Sequence, residues 1–302
     1  MADARPEHVP VLVEPILRLL DPHPGQTVFD GTVGLGGHAA AILPRVLPGG
    51  QYIGVDLDDA MLAIARERLG PQDAGVLRLF KANYADFPVC LQEAGTEAVD
   101  LMLLDLGVNS AQLEDPSRGF SFERDGPLDM RFDRDAPETA LDLVNRLSER
   151  ELADLFYQFG QEGASRKIAR KICEYRRNAR IRSTSLLARA VEAAFTGSRG
   201  ARRGRLHPAT RVFQALRVAI NHELDNLETF LAKAPDFLRP GGRLAVISFH
   251  SLEDGLVKRF LREMRSAGTF RELTKRPVVA AEEERRRNPR SRSAKLRVAE
   301  RL

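Results

Sequence analysis

Cysteine is scarce in this 302-residue chain, where Cys90 and Cys173 are the only two. They make no metal-ligand spacing and no disulfide framework. Neither a bound metal nor a disulfide scaffold is therefore expected, and a reducing cytoplasm suits such a chain. Long apolar runs are missing as well. None reaches membrane-spanning length, and Met1 to Glu7 holds no apolar segment of the signal-peptide type. No internal repeat is found. Neither sign of charge dominates, with 46 Lys and Arg against 42 Asp and Glu, a net +4. Yet the pI is near 9.2, and the basic residues are unevenly placed. With 43% hydrophobic and 29% charged residues, the composition is that of a soluble globular protein, in one large domain or two moderate ones.

What is present begins with a glycine-rich turn. Val28-Phe29-Asp30 reads as a strand end and runs into Gly31-Thr32-Val33-Gly34-Leu35-Gly36-Gly37-His38, with a helical stretch from Ala39. Glycine lets backbone approach a ligand closely, and the N-terminus of the helix beyond offers unpaired N–H groups. Such a turn suits a nucleotide-like cofactor. A second strand, Gln51 to Val55, ends in Asp56, nineteen positions after Gly37. An acid there can accept hydrogen bonds from both ribose hydroxyls, a feature common to NAD and S-adenosylmethionine. A clean G-x-G-x-x-G is absent, because Gly36 and Gly37 are adjacent and His38 follows, so the pyrophosphate fingerprint is not met.

The first hundred residues alternate helix and strand: helices near 14–20, 39–46 and 60–69, and strands near 28–30, 52–56, 76–80 and 99–105. Val99 to Asp105 is almost wholly apolar, as expected of a strand buried on both faces of a parallel sheet. The next comparable strand, Arg243 to Phe249, follows a helix predicted over 208–231 and a turn at Pro240-Gly241-Gly242. Roughly 90 residues between Glu114 and His207 are surplus to one crossover and too long for a structureless loop. Helical patterns at 149–159, 164–177 and 186–195, the last after Thr184 as a capping candidate, make this an inserted all-helical domain. The expected domains are 1–113 with 208–302, and 114–207. The tail ends in 294–299, read as an edge or hairpin strand, and Glu282 to Arg287 reads as a solvated charged loop. Polar or aromatic residues stand where the strands stop: Asp30, Asp56, Asn83 with Tyr84, Asp105, and Phe249-His250-Ser251. Ligands of open parallel sheets bind at such carboxyl ends, near the reversal of strand order.

Six segments together resemble one family. They are Gly36-Gly37-His38, Asp105 to Leu113, Arg118-Gly119-Phe120-Ser121-Phe122, Asp125 to Arg131, Ser248 to Asp254, and Asn288 to Arg297. In this order, from about His8 to Arg301, they are similar to the bacterial 16S ribosomal RNA cytosine-N4 methyltransferases. The resemblance implies an α/β class I (Rossmann-like) methyltransferase fold, with a mostly parallel seven-stranded sheet and an inserted helical domain. It implies S-adenosyl-L-methionine as donor and a decoding-centre cytidine of 16S ribosomal RNA, within the small ribosomal subunit, as acceptor. By matching position, the cofactor contacts would be Gly36, Gly37, His38, Asp56, Tyr84, Asp105 and Gln112. Tyr84 stands where the family favours phenylalanine, which keeps a stacking face. No general base is transferred, no membrane contact is implied, and a homodimer is left open.

Chemistry read from the residues agrees. Methyl transfer from a sulfonium is an in-line displacement, so the site mainly holds nucleophile, methyl carbon and sulfur collinear. The cytosine amino group is a poor nucleophile because its lone pair is delocalised. A hydrogen-bond acceptor facing its protons would sharpen that lone pair, and Asp105 is the candidate catalytic residue, with a backbone carbonyl in 106–110 as the other choice. Many amino-group methyltransferases carry an Asp/Asn/Ser-Pro-Pro-aromatic motif at this strand tip. Asp105-Leu106-Gly107-Val108 has neither the prolines nor the aromatic, which leaves base stacking to be sought among Phe120, Phe122 and Phe249.

The insert is basic. Arg166, Lys167, Arg170, Lys171, Arg176, Arg177, Arg180 and Arg182 fall in one helix and the loop after it, and Arg199, Arg202, Arg203 and Arg205 follow. Pairs 166/170 and 167/171 share faces, while Ile168 and Ile172 face a core. Crowded cations without acids to balance them suit a phosphate backbone. Arg166, Lys167, Arg170, Lys171, Arg177 and Arg180 are the candidate RNA contacts, and the insert is expected to overhang the cleft. Arg290, Arg292, Lys295 and Arg297 would extend the basic track. A nicotinamide-dependent oxidoreductase would share the sheet and the ribose acid, but not the arginines. A non-catalytic RNA-binding module would explain the arginines, but not the polar strand ends. A DNA amino-methyltransferase is disfavoured by the proline-free tip.

Overall fold

The computed structural model describes residues 10–73, 75–195 and 207–302. In chain order it runs α1 (Val13–Leu20), β1 (Thr27–Asp30), α2 (Gly37–Val46), β2 (Gln51–Asp56), α3 (Asp59–Leu69), β3 (Leu77–Lys81), α4 (Phe87–Glu93), β4 (Val99–Asp105) and α5 (Ser110–Glu114). Then come α6 (Ala140–Arg146), α7 (Glu149–Gly160), α8 (Ser165–Asn178), α9 (Thr184–Ala193), α10 (Pro208–Ile220) and α11 (Glu223–Phe237). The chain closes with β5 (Leu238–Ser248), α12 (Ser251–Ser266), β6 (Phe270–Glu272), α13 (Glu282–Arg287) and β7 (Lys295–Arg301). It divides into two compact units, 1–107 with 224–302, and 108–223.

The first unit is built on one seven-stranded sheet of order β3-β2-β1-β4-β5-β7-β6. β1 to β5 pair in parallel, and β7 runs antiparallel between β5 and β6. β4 is the middle strand. Its alternation sends Met102 and Leu104 into one core, with Phe29, Val55, Phe87 and Phe230. Leu101 and Leu103 enter the core on the other face, with Val28, Ile42 and Tyr52. Both faces are thus apolar, which is why β4 shows no polar alternation in sequence. Strand order reverses between β1 and β4, and their carboxyl ends carry Asp30 and Asp105.

The second unit is helical, with its own core around Leu152, Phe156, Ile168, Ile172, Leu187 and Val212. Three helices open on capping boxes, at Asn109, Thr139 and Ser148, each of whose side chains accepts a backbone N–H while the third helical residue reaches back. The Arg118–Arg131 stretch is scaffold. Buried Arg118 donates to the carbonyls of Arg131 and Phe132 at 2.8 and 3.2 Å, and Arg131 grips Asp129 through Nε and Nη2, both at 2.8 Å.

Several expectations change. The helix predicted over 208–231 is two helices. Asn221 ends α10 by donating to Met130 O and Arg217 O and accepting from Phe132 N, and His222 takes φ 50°. With α10 belonging to the helical unit, the boundaries fall at 107/108 and 223/224 rather than 113/114 and 207/208. The tail strand lies inside the sheet rather than at its edge, because β6 pairs beyond it. Glu282–Arg287 is a short helix, held by exposed i,i+4 pairs Arg286–Glu282 and Arg287–Glu283, rather than a loop. Ser183, not Thr184, caps α9, and buried Thr184 instead accepts the Gly126 N–H at 3.1 Å. Among the described residues no helix is long and apolar enough to cross a membrane.

Candidate active site

The turn after β1 is tied to the ends of β2 and β4. Gly31 N donates to Leu103 O at 3.0 Å and Val33 N to Val55 O at 3.1 Å. Asp105 N donates to Thr32 Oγ1 at 2.6 Å, so the Thr32 hydroxyl joins the turn to the tip of β4. Close approach explains Gly31, where a Cβ would lie 2.3 Å from Leu104 Cδ2 and 2.8 Å from Tyr84 Cβ. Gly36 takes φ +74° and starts α2, whose first internal bond is Ala40 N to Gly36 O. No side chain caps that N-terminus, and the N–H groups of its first turn have no helical acceptor.

Three carboxylates stand at adjacent strand ends, each in a different state. Asp30 is buried and fully engaged, accepting Tyr52 Oη–H at 2.6 Å and Thr32 N–H at 3.0 Å. Burial pushes its pKa up, and the Tyr52 hydroxyl is pushed well above its usual range by burial and by Asp30. Asp56 accepts Gly34 N–H at 2.8 Å and Asp58 N–H at 2.9 Å, and burial raises it to about 6 despite those donors. Asp105 is partly accessible. Its Oδ2 lies 3.3 Å from Nε2 of buried His38, and its Oδ1 is buried with no hydrogen-bond partner among the described residues.

The turn therefore brings together Gly36, Gly37, His38, Asp56, Tyr84 and Asp105, all in the sheet unit. Tyr84 opens a 3-10 turn capped by Asn83, and its ring meets Phe230 edge-on at 5.9 Å. Gln112 lies in the helical unit, where its Oε1 accepts Asn109 N–H in the capping box of α5. Thr32 and Tyr52 escaped the sequence reading. A hydroxyl directly after Asp30-Gly31 was the available signal for Thr32, while Tyr52 looked like ordinary strand matter. His250 caps α12 with both ring nitrogens facing Glu253: Nδ1 accepts Glu253 N–H, and Nε2 lies 3.1 Å from Oε1. Phe120 stacks on Phe132, and Phe122 packs on Phe213 and His207, so both serve the helical core. Phe249 packs at a core of the sheet unit.

In the helical unit, α8 carries six basic side chains and one acid, Glu174, above buried Ile168 and Ile172. Arg166, Arg170 and Arg177 are exposed and make no hydrogen bond or ion pair among the described residues. Other cations are partly spent. Lys171 pairs with Glu174 at 2.6 Å, Lys167 lies over the Phe195 ring at 5.6 Å, and Arg180 meets Asp142 at 3.3 Å. Arg176 donates to the Val144 carbonyl at 2.7 Å. A cleft of about 620 Å³ is lined by Asp142, Asn145, Arg146, Arg176, Arg177 and Arg180. In the tail, Lys295 and buried Arg297 both bind Asp254, at 3.3 and 2.7 Å, and so are not free to extend a basic track. Arg199, Arg202, Arg203 and Arg205 lie outside the described residues.

A central parallel array in the order 3-2-1-4-5, a seventh strand returned antiparallel beside the fifth, and a glycine turn facing an acid at the tip of the second strand define a class I methyltransferase. A methylase on this fold takes its methyl group from S-adenosylmethionine. The residues fit such a donor: uncapped N–H groups at α2, a ribose-type acid at Asp56, an aromatic face at Tyr84 and unpartnered buried polar atoms on His38 and Asp105. The chain belongs to the MraW methylase family, which it matches over residues 5–302. It is 47% identical to ribosomal RNA small subunit methyltransferase H of Pelobacter propionicus, over 98% of this chain and 99% of that one. It is 48% identical to the protein of the same name from Koribacter versatilis, over 97% and 94%. Among solved structures, a putative rRNA-methylase from Clostridium thermocellum aligns with TM-score 0.46 and 13% identity, over 96% of this chain and 95% of that one.

Proposed function

We propose that this protein methylates small-subunit ribosomal RNA from S-adenosylmethionine, and that its target is the exocyclic N4 of a cytidine in the decoding centre. The single observation that carries the chemistry is Asp105, a partly accessible carboxylate at the end of the central strand, with one oxygen that has no hydrogen-bond partner among the described residues. S-Adenosylmethionine, when bound, supplies an electrophilic methyl carbon on a sulfonium. Asp56 takes the ribose hydroxyls, Tyr84 flanks the adenine, and Gly37 and His38 offer first-turn N–H groups beyond the Gly36 cap. Asp105 accepts a hydrogen bond from the cytosine amino group. That bond favours pyramidal nitrogen and localises its lone pair, and the carboxylate then receives the proton that N4 sheds on methylation.

The helical unit supplies the RNA contacts. Arg166, Lys167, Arg170, Lys171, Arg177 and Arg180 form the reading's phosphate-binding set, and the exposed, unpaired Arg166, Arg170 and Arg177 contribute most, because paired cations must first give up a partner. A cytosine within stacked RNA must be splayed out to be methylated. The substrate is the small subunit or its RNA in the cytoplasm. Mass mapping of ribosomal RNA nucleosides from cells with and without this protein tests the reading. The expected result is loss of one N4-methylated cytidine from small-subunit RNA. An unchanged map, or loss of a different methylated nucleoside, overturns the assigned target.

A further inference from the structure

His38 sits at the second residue of α2 with its ring buried, and its Nε2 lies 3.3 Å from Asp105 Oδ2. Among the described residues neither ring nitrogen makes a hydrogen bond. A buried imidazole without partners costs about 1–3 kcal/mol per unsatisfied group, so its placement against one carboxylate calls for a reason. Among the described residues, the other ionisable groups close by are Asp30, engaged by Tyr52 and Thr32, and beyond it Asp56, engaged by Gly34 and Asp58. Asp105 is the only carboxylate of the three without a hydrogen-bonded side chain or backbone donor of its own.

We propose that His38 is a positioning residue for methyl transfer: its Nε2–H turns to donate to Asp105 Oδ2 and holds the carboxylate oriented toward the target amino group. The inference rests on the reading of Asp105 given above and extends it. In the step concerned, N4 bonds to the methyl carbon as the carbon–sulfur bond breaks, the sulfonium becomes a neutral thioether, and one N4 proton passes to Asp105 and on to water. His38 keeps its own proton throughout. Its ring serves Asp105, while its backbone N–H remains for the methyl donor.

The test compares His38→Leu and His38→Gln with the parent protein, using single-turnover methylation and calorimetric binding of S-adenosylmethionine. Gln retains an N–H donor at about the reach of Nε2, and Leu retains bulk alone. The expected result for Leu is a rate about 10- to 100-fold lower with donor affinity within about threefold. Gln should recover most of the rate. The proposal falls if Leu weakens donor binding in step with the rate, or if Gln is no better than Leu. Should Asp105→Asn itself leave the rate intact, the reading of Asp105 fails first, independently of His38.

Discussion

The two units handle charge in opposite ways. In the sheet unit the functional charges are acids at strand tips, drawn into partly dry surroundings where burial raises Asp30 and lifts Asp56 to about 6. In the helical unit the candidate functional charges are cations on the outside of α8, above an apolar layer of Ile168 and Ile172. The contrast follows from what each kind of partner needs. A small cofactor is recognised by a few directed hydrogen bonds, which gain strength away from water. A polyanion is held by several solvated charges, each worth little and each screened by salt. The difference teaches where to look: at fixed, partly buried atoms in the first unit, and at the balance of exposed charge in the second.

The sharpest way to break that comparison is at Asp105. Asp105→Asn replaces an acceptor of protons with a group that cannot take one, and should lower the single-turnover rate about 100- to 10,000-fold while S-adenosylmethionine binds within a few-fold of normal. A collapse of donor affinity with a normal rate in the remaining complex would make Asp105 a binding residue alone.

A smaller effect is expected on the basic face. Reversing Arg166 and Arg170 to Glu should weaken RNA binding about tenfold and reduce the slope of its salt dependence by about 1 to 2. Reversing Arg170 and Lys171 should also weaken binding and flatten the slope. The Lys171 share of that loss should be the smaller, because Lys171 already holds Glu174 at 2.6 Å. An unchanged slope in both variants would remove α8 from the RNA surface.

The smallest effect concerns stability only. Gly255 lies exposed in α12 with nothing within 4 Å of an added Cβ, so Gly255→Ala should stabilise the fold by about 1 kcal/mol, read as a rise in thermal midpoint with activity unchanged. Gly31→Ala should do the reverse, since its Cβ would fall inside contact distance of Leu104 and Tyr84.

Legibility followed the same division. Strand ends in the sheet unit could be read because apolar runs stop abruptly at a polar residue, and the parallel fold sends every such stop to one edge; Asp30, Asp56 and Asp105 were found in this way. The break at Asn221 was not legible. The apolar spacing continues across it, and only bonds to Met130 and Phe132, some ninety positions away, end the helix there. Nor could sequence tell a free arginine from a spent one. Arg176 and Arg177 are neighbours, yet one is tied to a carbonyl of α6 and the other is open. Arg297 looked like part of a basic tail, but tertiary pairing turns it onto Asp254. Such pairings depend on long-range contacts that no local pattern encodes.

The central claim, that a sulfonium donor lies across the tips of β1, β2 and β4 with its ribose on Asp56, is tested most directly by calorimetric titration of the whole chain with S-adenosylmethionine over a range of pH. Ribose hydroxyls donate to the ionised carboxylate, and a proton competes with them. The account therefore predicts binding that is full well above pH 6 and weakens as pH falls through about 6. In Asp56→Asn, affinity should drop about 10- to 100-fold and lose that pH dependence. Absence of binding at every pH, or an Asp56→Asn variant that binds as tightly as the parent, would contradict it.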